Sequence, residues 1–345
     1  MREIEGLQDF LSDTEFSGSS QIEPIRQEAS ARRYYRIRSE RSSAILCITT
    51  PIPDPLSDDF LSLRDFLDNS GVPVPSILKL ENQKGWILQS DGGEKDLSEA
   101  LKHHSENKDR KAFLALLDRT IGILAKMHSL PRPHPVDRRF FDFEKLNWEM
   151  EFLSGHLENL CRRLNQPSPL SFEMERFLKE LCGLLEKSLA SSSVFTHRDF
   201  HARNILVSHE ENEPGLCVVD FQDARTGLPW YDLSSLLYDP YTPFHKEDRE
   251  YGFLSYTEAA GLTKPGKALY HAQALQRVLK AIGTYVFLVF EKGMTGYFAS
   301  IPEALDRAEE IIQLGRFPDS CYVFMINFKK YVLPAAERLL LSGAP

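Results

Sequence analysis

Two carboxylates and an amide near the middle of the chain have the types and spacing needed to move a phosphoryl group. The stretch from Phe195 to Asp232 begins FTHRDFHARNILV and, after a polar spacer, continues LCVVDFQDARTGLPWYDL. Within it Asp199 precedes Asn204 by five residues, and Asp220 closes an apolar run. Phosphoryl transfer passes through a loose transition state, so an enzyme needs positioning and charge-neutralising groups more than a covalent nucleophile. Asp199 can accept the proton of an acceptor hydroxyl, while Asn204 and Asp220 can ligate Mg2+. Magnesium takes oxygen ligands and keeps several waters, so one amide oxygen and one carboxylate suffice beside the phosphates of ATP.

The local pattern supports that chemistry. Ile205 to Val207 reads as a short strand, residues 210–215 as a polar turn and Leu216 to Val219 as a second strand. Such a hairpin brings Asn204 and Asp220 to one end, where both can face one metal. A surface loop with chance acids does not account for the joint pattern. His-Arg-Asp, four residues and then Asn is also the order of the protein-kinase catalytic loop, with Asp-Phe-Gln in place of Asp-Phe-Gly.

The segment resembles the aminoglycoside phosphotransferase and choline kinase superfamily. There a His-x-Asp loop is followed by Asn, an Ile/Val-Asp-Phe strand end and a downstream Asp-Leu. This chain has His197, Asp199, Asn204, Asp220 and Asp232 at those places. The resemblance implies an α+β, two-lobed protein-kinase-like fold, with a small antiparallel-sheet lobe and a larger, mainly helical lobe. Within the superfamily the chain is similar to bacterial anomeric sugar kinases for N-acetylmuramate and N-acetylglucosamine. The residues that carry this likeness are Ala29-Ser-Ala-Arg-Arg-Tyr-Tyr-Arg36, HRDFHARN, VVDFQDA and Leu275-Gln-Arg-Val-Leu-Lys-Ala-Ile-Gly283. It implies a small-molecule sugar substrate, transfer to the anomeric hydroxyl and an α-1-phosphate product in cell-wall sugar recycling. Choline or an aminoglycoside as acceptor, and a nucleotide-binding pseudokinase, stand as alternatives.

The elements that must hold these residues divide near residue 90. Tyr34 to Ile37 alternates with arginines, Ala44 to Thr50 is a second strand, and Asp59 to Ser70 has helical spacing and stops at Gly71. Ser76 to Glu81 and Gly85 to Gln89 read as a strand pair, and SDGGEKD as a hinge. The expected layout is a nucleotide lobe over 1–90, a hinge over 91–96 and a large lobe over 97–345. Adenine is expected against Leu88, Gln89, Ser90 and Asp91. Beyond the hinge, amphipathic helices span Asp109 to Ser129, Phe143 to Leu160 and Phe172 to Ala190, and helix resumes from Ser235 with breaks at Gly261, Pro265 and Pro302.

Neutralising the triphosphate poses a problem. Kinases place a lysine on the third strand of the small lobe, and Ala44-Ile-Leu-Cys-Ile-Thr-Thr50 has none. The absence favours a pseudokinase, and the retention of Asp199, Asn204 and Asp220 weighs more heavily against one. Arg32, Arg33 or Arg36 is the natural replacement, unless all of them decorate a solvated face. Ser30 lies in the turn where kinases have a glycine-rich loop, and its hydroxyl can partly substitute. Near the base, Arg203 is the expected charge stabiliser and Arg198 a loop-ordering residue. Asp223 is a substrate contact or a second metal ligand, Asp232 a cap or brace, and His128 a packing residue at a helix end.

Bulk properties exclude other classes. The 345 residues carry 41 basic against 50 acidic side chains, a net charge of -9 that argues against general nucleic-acid or anionic-membrane binding. Five scattered cysteines without zinc spacing point to reduced thiols. MREIEGLQDF lacks the apolar core of a secretory signal, and the apolar run from Tyr285 to Phe290 is too short to span a bilayer. The expectation is a cytoplasmic monomer.

Overall fold

The computed structural model describes residues 4–18, 21–25, 32–52, 54, 57–208, 215–263 and 266–342. The chain forms two compact units, residues 1–97 with 204–222, and residues 98–203 with 223–345. The first segment carries α1 (Leu7–Leu11), β1 (Gln21–Pro24), β2 (Arg33–Arg38), β3 (Ser43–Ile48), α2 (Asp59–Asn69), β4 (Ile77–Glu81), β5 (Trp86–Ser90) and β6 (Lys95–Asp96). Next come α3 (Leu97–Glu106), α4 (Arg110–Ser129), α5 (Phe143–Leu164), α6 (Phe172–Ser192), β7 (Val194–Thr196), β8 (Ile205–Ser208), β9 (Gly215–Val218) and β10 (Arg225–Gly227). The last segment is helical, with α7 (Pro229–Leu237), α8 (Lys246–Ala259), α9 (Lys267–Phe290), α10 (Ser300–Gly315), α11 (Asp319–Asn327) and α12 (Leu333–Leu341).

The first unit is built on an antiparallel sheet in the order β1-β2-β3-β5-β4. Register sets what each face offers, because side chains alternate along a strand. Tyr35 opposite Leu46 and Ile37 opposite Ala44 put one face into a core shared with Trp86, Leu88 and the N-terminal Leu7, Phe10 and Leu11. Arg36 opposite Ile45 and Tyr34 opposite Cys47 fall on the other face. Helix α2 starts where Asp58 accepts the Leu61 N–H (3.0 Å) and stops before Gly71, in the left-handed region at φ 70°. The elements before Ile25, α1 and β1, were not anticipated. A five-residue helix is too short to show a period, and packing against the sheet stabilises it rather than propensity.

The hairpin of β8 and β9 belongs to this unit, although the sequence placed everything after residue 97 in the large lobe. β6 pairs with β8, and the Val218 N–H donates to the Pro73 carbonyl (2.7 Å). Gly93 makes the β6 approach possible. Its φ is +128°, and a Cβ there would lie 2.3 Å from the Val207 carbonyl oxygen. Gly93→Ala is therefore expected to destabilise the protein by about 2–3 kcal/mol, from backbone strain and the clash together. Urea titration followed by circular dichroism checks it, and an unchanged midpoint would contradict it.

The second unit is mainly helical. Asp109, Asp142 and Ser171 cap α4, α5 and α6 by accepting N–H groups of Ala112, Lys145 and Met174 (3.1, 2.8 and 3.2 Å), as capping predicts. Helix α9 is buried around most of its circumference and packs on α5, α7 and α10. At Gly283 the backbones are closest, where a Cβ would meet Leu153 Cα at 2.7 Å. Gly261 ends α8 at φ 64°, and Pro265 lies outside the described residues. Pro302, expected as a break, instead sits in the first turn of α10, where a missing N–H leaves no helical bond unmade. Among the described residues no helix is long and apolar enough to cross a membrane.

Candidate active site

In the second unit two buried carboxylates hold the loop that carries Asp199. Asp232, in the first turn of α7, accepts the backbone N–H groups of His197 (2.6 Å) and Arg198 (2.9 Å). The Nε2 of His128 lies 3.2 Å from the same carboxylate and its Nδ1 lies 2.7 Å from the Tyr256 hydroxyl. Facing a carboxylate, Nε2 carries the proton, which leaves Nδ1 to accept from Tyr256. His128 thus orients the brace rather than the reactants. On the other side Asp239 accepts the N–H groups of Ala202 (2.9 Å) and Tyr241 (3.0 Å), and burial pushes its carboxyl up to about 6 despite those bonds. Arg198 sits at φ 85°, a conformation costing roughly 1–3 kcal/mol that the two Asp232 bonds help to hold.

Three cations converge on Asp199. Arg277 Nη2 and Lys280 Nζ each lie 3.5 Å from its Oδ1, and Arg198 Nε lies 3.8 Å from Oδ2. Burial alone would raise the carboxyl's pKa, but Lys280, Arg198 and Arg277 outweigh it and hold the group well below the usual carboxylate range. Burial also pushes the neighbouring His201 down to about 3, against the pull of Asp199. Arg277 is oriented by donating to Ser235 Oγ (2.8 Å), and Arg198 by donating to Asp223 (2.7 Å).

The sign of the pH effect follows. A carboxyl with a depressed folded-state pKa gives stability that is present above its unfolded value of 3.8 and lost as acid approaches the folded value. Asp199 therefore stays ionised through the neutral and mildly acidic range. The acid limb of kcat is expected not to report this group in the natural protein, and to move toward neutral pH in Lys280→Met. A pH–rate profile of both proteins tests this, and identical acid limbs would contradict it.

Arg203, expected as the charge stabiliser near the base, lies over the Tyr241 ring (3.4 Å) with Tyr297 at 5.9 Å. Arg198, expected to order the loop, reaches Asp199 alongside Arg277, and Asp223 pairs with Arg198 across 2.7 Å. Arg277 and Lys280 were not singled out. The available signal was a pair of cations three residues apart in AQALQRVLKAIG, within a largely apolar helix. Buried charges need partners.

The metal-ligand candidates stand together in the first unit. Asn204 Nδ2 is 3.4 Å from Asp220 Oδ2, and Gln222 Nε2 donates to Oδ1 of the same carboxylate (2.7 Å). Asp220 has φ 67°, a strained turn at the strand end of the kind that persists at functional sites. Phe221 anchors it, fully buried and stacked on Phe60 (5.4 Å, 8°), while the Arg32 guanidinium lies 5.2 Å from the Phe60 ring centre. Among the described residues no three His, Cys, Asp or Glu side chains gather to hold a metal unaided. The donors present, an amide and a carboxylate, fit a hard ion that draws its remaining ligands from phosphate and water.

Residues expected at the nucleotide also make bonds within the sheet. Arg36 grips Asp91 through Nε (2.7 Å) and Nη2 (3.1 Å) and donates to the Gly93 carbonyl (2.9 Å). Burial raises Asp91, but Arg36, the Ser43 hydroxyl and the Gly93 N–H outweigh it and hold its carboxyl low. Leu88 is buried in the core and paired on both sides, with Leu46 and Lys79. Ser90 exchanges bonds with Ser76 (2.8 and 2.9 Å). Among the described residues the buried Oε1 of Gln89 has no partner. Arg33 is exposed at the start of β2, and Ser30 lies outside the described residues.

Residues 21–266, well over half the chain, match the family model described as "Phosphotransferase enzyme family". The chain belongs to that family. It is an ATP-dependent phosphotransferase that uses a hydroxyl as acceptor. This phosphotransferase is 28% identical over 289 residues to the N-acetylmuramate/N-acetylglucosamine kinase of Neisseria meningitidis serogroup B, covering 81% of this chain and 82% of that protein. It is likewise 28% identical over 313 residues to the kinase of the same name from Pseudomonas aeruginosa, covering 86% and 87%. An ADP-bound aminoglycoside phosphotransferase APH(2'')-Ib superposes with TM-score 0.56 at 18% identity, covering 90% of this chain and 99% of that one. The choline kinase LicA from Streptococcus pneumoniae superposes with TM-score 0.53 at 14% identity, covering 90% and 98%. The phosphotransferase therefore has the protein-kinase-like α+β fold.

Proposed function

We propose that this phosphotransferase transfers the γ-phosphoryl of ATP to the anomeric hydroxyl of an N-acetylated amino sugar, N-acetylmuramate or N-acetylglucosamine. The observation that carries the reading is the set of three cations around Asp199. They repel a cationic acceptor, which disfavours choline and aminoglycosides, and they suit a neutral or anionic sugar. The names of the relatives at 28% identity point the same way.

Asp199 accepts the acceptor proton. Its low pKa makes it a weak base, which suits an anomeric hydroxyl, more acidic than an ordinary alcohol, and a loose transition state that needs little proton transfer early. Asn204 and Asp220 would hold Mg2+, which would neutralise charge on the phosphate oxygens. Arg32, beside Phe60 and Phe221, supplies the cation that β3 lacks. Arg198 and Lys280 offset charge at the acceptor end. An ATP-consumption assay over a panel of amino sugars, choline and aminoglycosides, with Asp199→Ala as control, tests the reading. Turnover is expected with the two N-acetyl sugars, and Arg32→Gln is expected to raise the KM for ATP several-fold. Turnover confined to amino alcohols would overturn the acceptor assignment, and an unchanged KM the role of Arg32.

A further inference from the structure

One cation of the second unit has no partner that explains it. Lys145, on the first turn of α5, is only partly exposed, and among the described residues no carboxylate lies within ion-pair distance of its ammonium. The ammonium instead sits 4.0 Å from the centre of the Trp148 ring, and that ring is 51% exposed. Burial lowers the pKa of Lys145, and Arg198, Arg225 and Lys280 lower it further, against Glu149. Glu149 itself is turned into the helix interface, where it accepts from Gln276 (2.9 Å) and Tyr231 (3.4 Å). Asp223 is held by Arg198, and Asp199 is shared among three cations. The group thus sets six cations (Lys145, Arg139, Arg198, Arg225, Arg277, Lys280) against three carboxylates (Glu149, Asp199, Asp223). A half-buried, unpaired ammonium in surplus positive charge is a place for an anion, because desolvated like charges are costly unless something opposite binds.

We propose that Lys145, with Lys280, forms a carboxylate subsite of the acceptor pocket that takes the acid group of a carboxylated N-acetyl sugar. The inference rests on the sugar-kinase reading and deepens it. N-acetylmuramate carries a lactyl carboxylate and N-acetylglucosamine does not, so the pair isolates one group. Lys145 is four residues from Glu149 on α5, and Lys280 is four residues from Gln276 on α9. The Gln276–Glu149 bond therefore ties together the two helix segments that present the ammonium groups. Trp148 offers an exposed ring beside them for the apolar face of a pyranose.

The test compares both sugars by titration calorimetry and by steady-state kinetics on the natural protein, Lys145→Met and Lys145→Arg. Lys145→Met is expected to weaken N-acetylmuramate about tenfold or more, as for loss of a charge-assisted contact, with N-acetylglucosamine and ATP changed less than about twofold. Lys145→Arg is expected to restore most of the loss. Equal weakening of both sugars, weakening of ATP alone, or no change would each overturn the subsite. If Lys145→Met fails these expectations while the natural protein phosphorylates both sugars, only the subsite falls. If the natural protein binds neither sugar, the sugar-kinase reading falls and takes the subsite with it.

Discussion

Asparagine in place of Asp199 is expected to lower kcat by about 10²–10⁴-fold, the range for removing a positioned general base. The reason is geometric. Among the described residues Asp199 is the one carboxylate shown within 4 Å of Arg198, Arg277 and Lys280 together, and its backbone is fixed by the loop anchored on Asp232 and Asp239. The amide keeps the shape and removes the proton-accepting charge. It also leaves three cations without their shared counter-charge, so the melting temperature is expected to fall as well. Activity should therefore be read well below the melting point of the variant, with circular dichroism confirming the fold. The KM for ATP is expected to stay near the natural value. A kcat within threefold of the natural protein would remove Asp199 from the chemistry.

Asp232→Asn is expected to cost about 3 kcal/mol of stability and to lower kcat by at least tenfold, although Asp232 touches no reactant. The carboxylate is fully buried and accepts from the backbones of His197 and Arg198 while facing His128 Nε2. Asparagine can retain one acceptor oxygen, but its NH2 would point a donor at a backbone N–H or at the histidine. Each such mismatch leaves a buried donor unpaired, at about 1–3 kcal/mol. The released loop would let Arg198 leave its left-handed conformation and carry Asp199 off position, and misplacement on the order of 1 Å can cost about 10²-fold in rate. Denaturation paired with kcat measurement tests this, since a purely structural role would lower the melting temperature and leave kcat untouched below it.

Local chemistry made much of this legible in the sequence. The apolar spacing from Phe60 to Leu67 and the stop at Gly71 dictate α2 through neighbours along the chain. The β8–β9 hairpin follows from two short apolar runs around a polar turn, and its ends bring Asn204 to Asp220 as expected from that spacing. What escaped depended on distant partners. Strand alternation put Arg36 on a definite face, but the bidentate grip on Asp91, 55 residues away, decides what it does there. Arg203 is adjacent to Asn204 in sequence, yet its stacking partner Tyr241 lies 38 residues further along the chain. Arg277 and Lys280 look like helix decoration until α9 is seen buried on nearly every side. The chain positions of β6 and of the hairpin gave no sign that they share a sheet.

Transfer to the anomeric oxygen of an N-acetyl amino sugar, with Asp199 as base, is the reaction proposed. The most direct measurement is phosphorus NMR of the product formed from ATP and N-acetylglucosamine or N-acetylmuramate. One new resonance coupled to the anomeric proton is expected with the natural protein and none with Asp199→Asn. A product phosphorylated at another ring hydroxyl, or one formed at an equal rate by the variant, would contradict it.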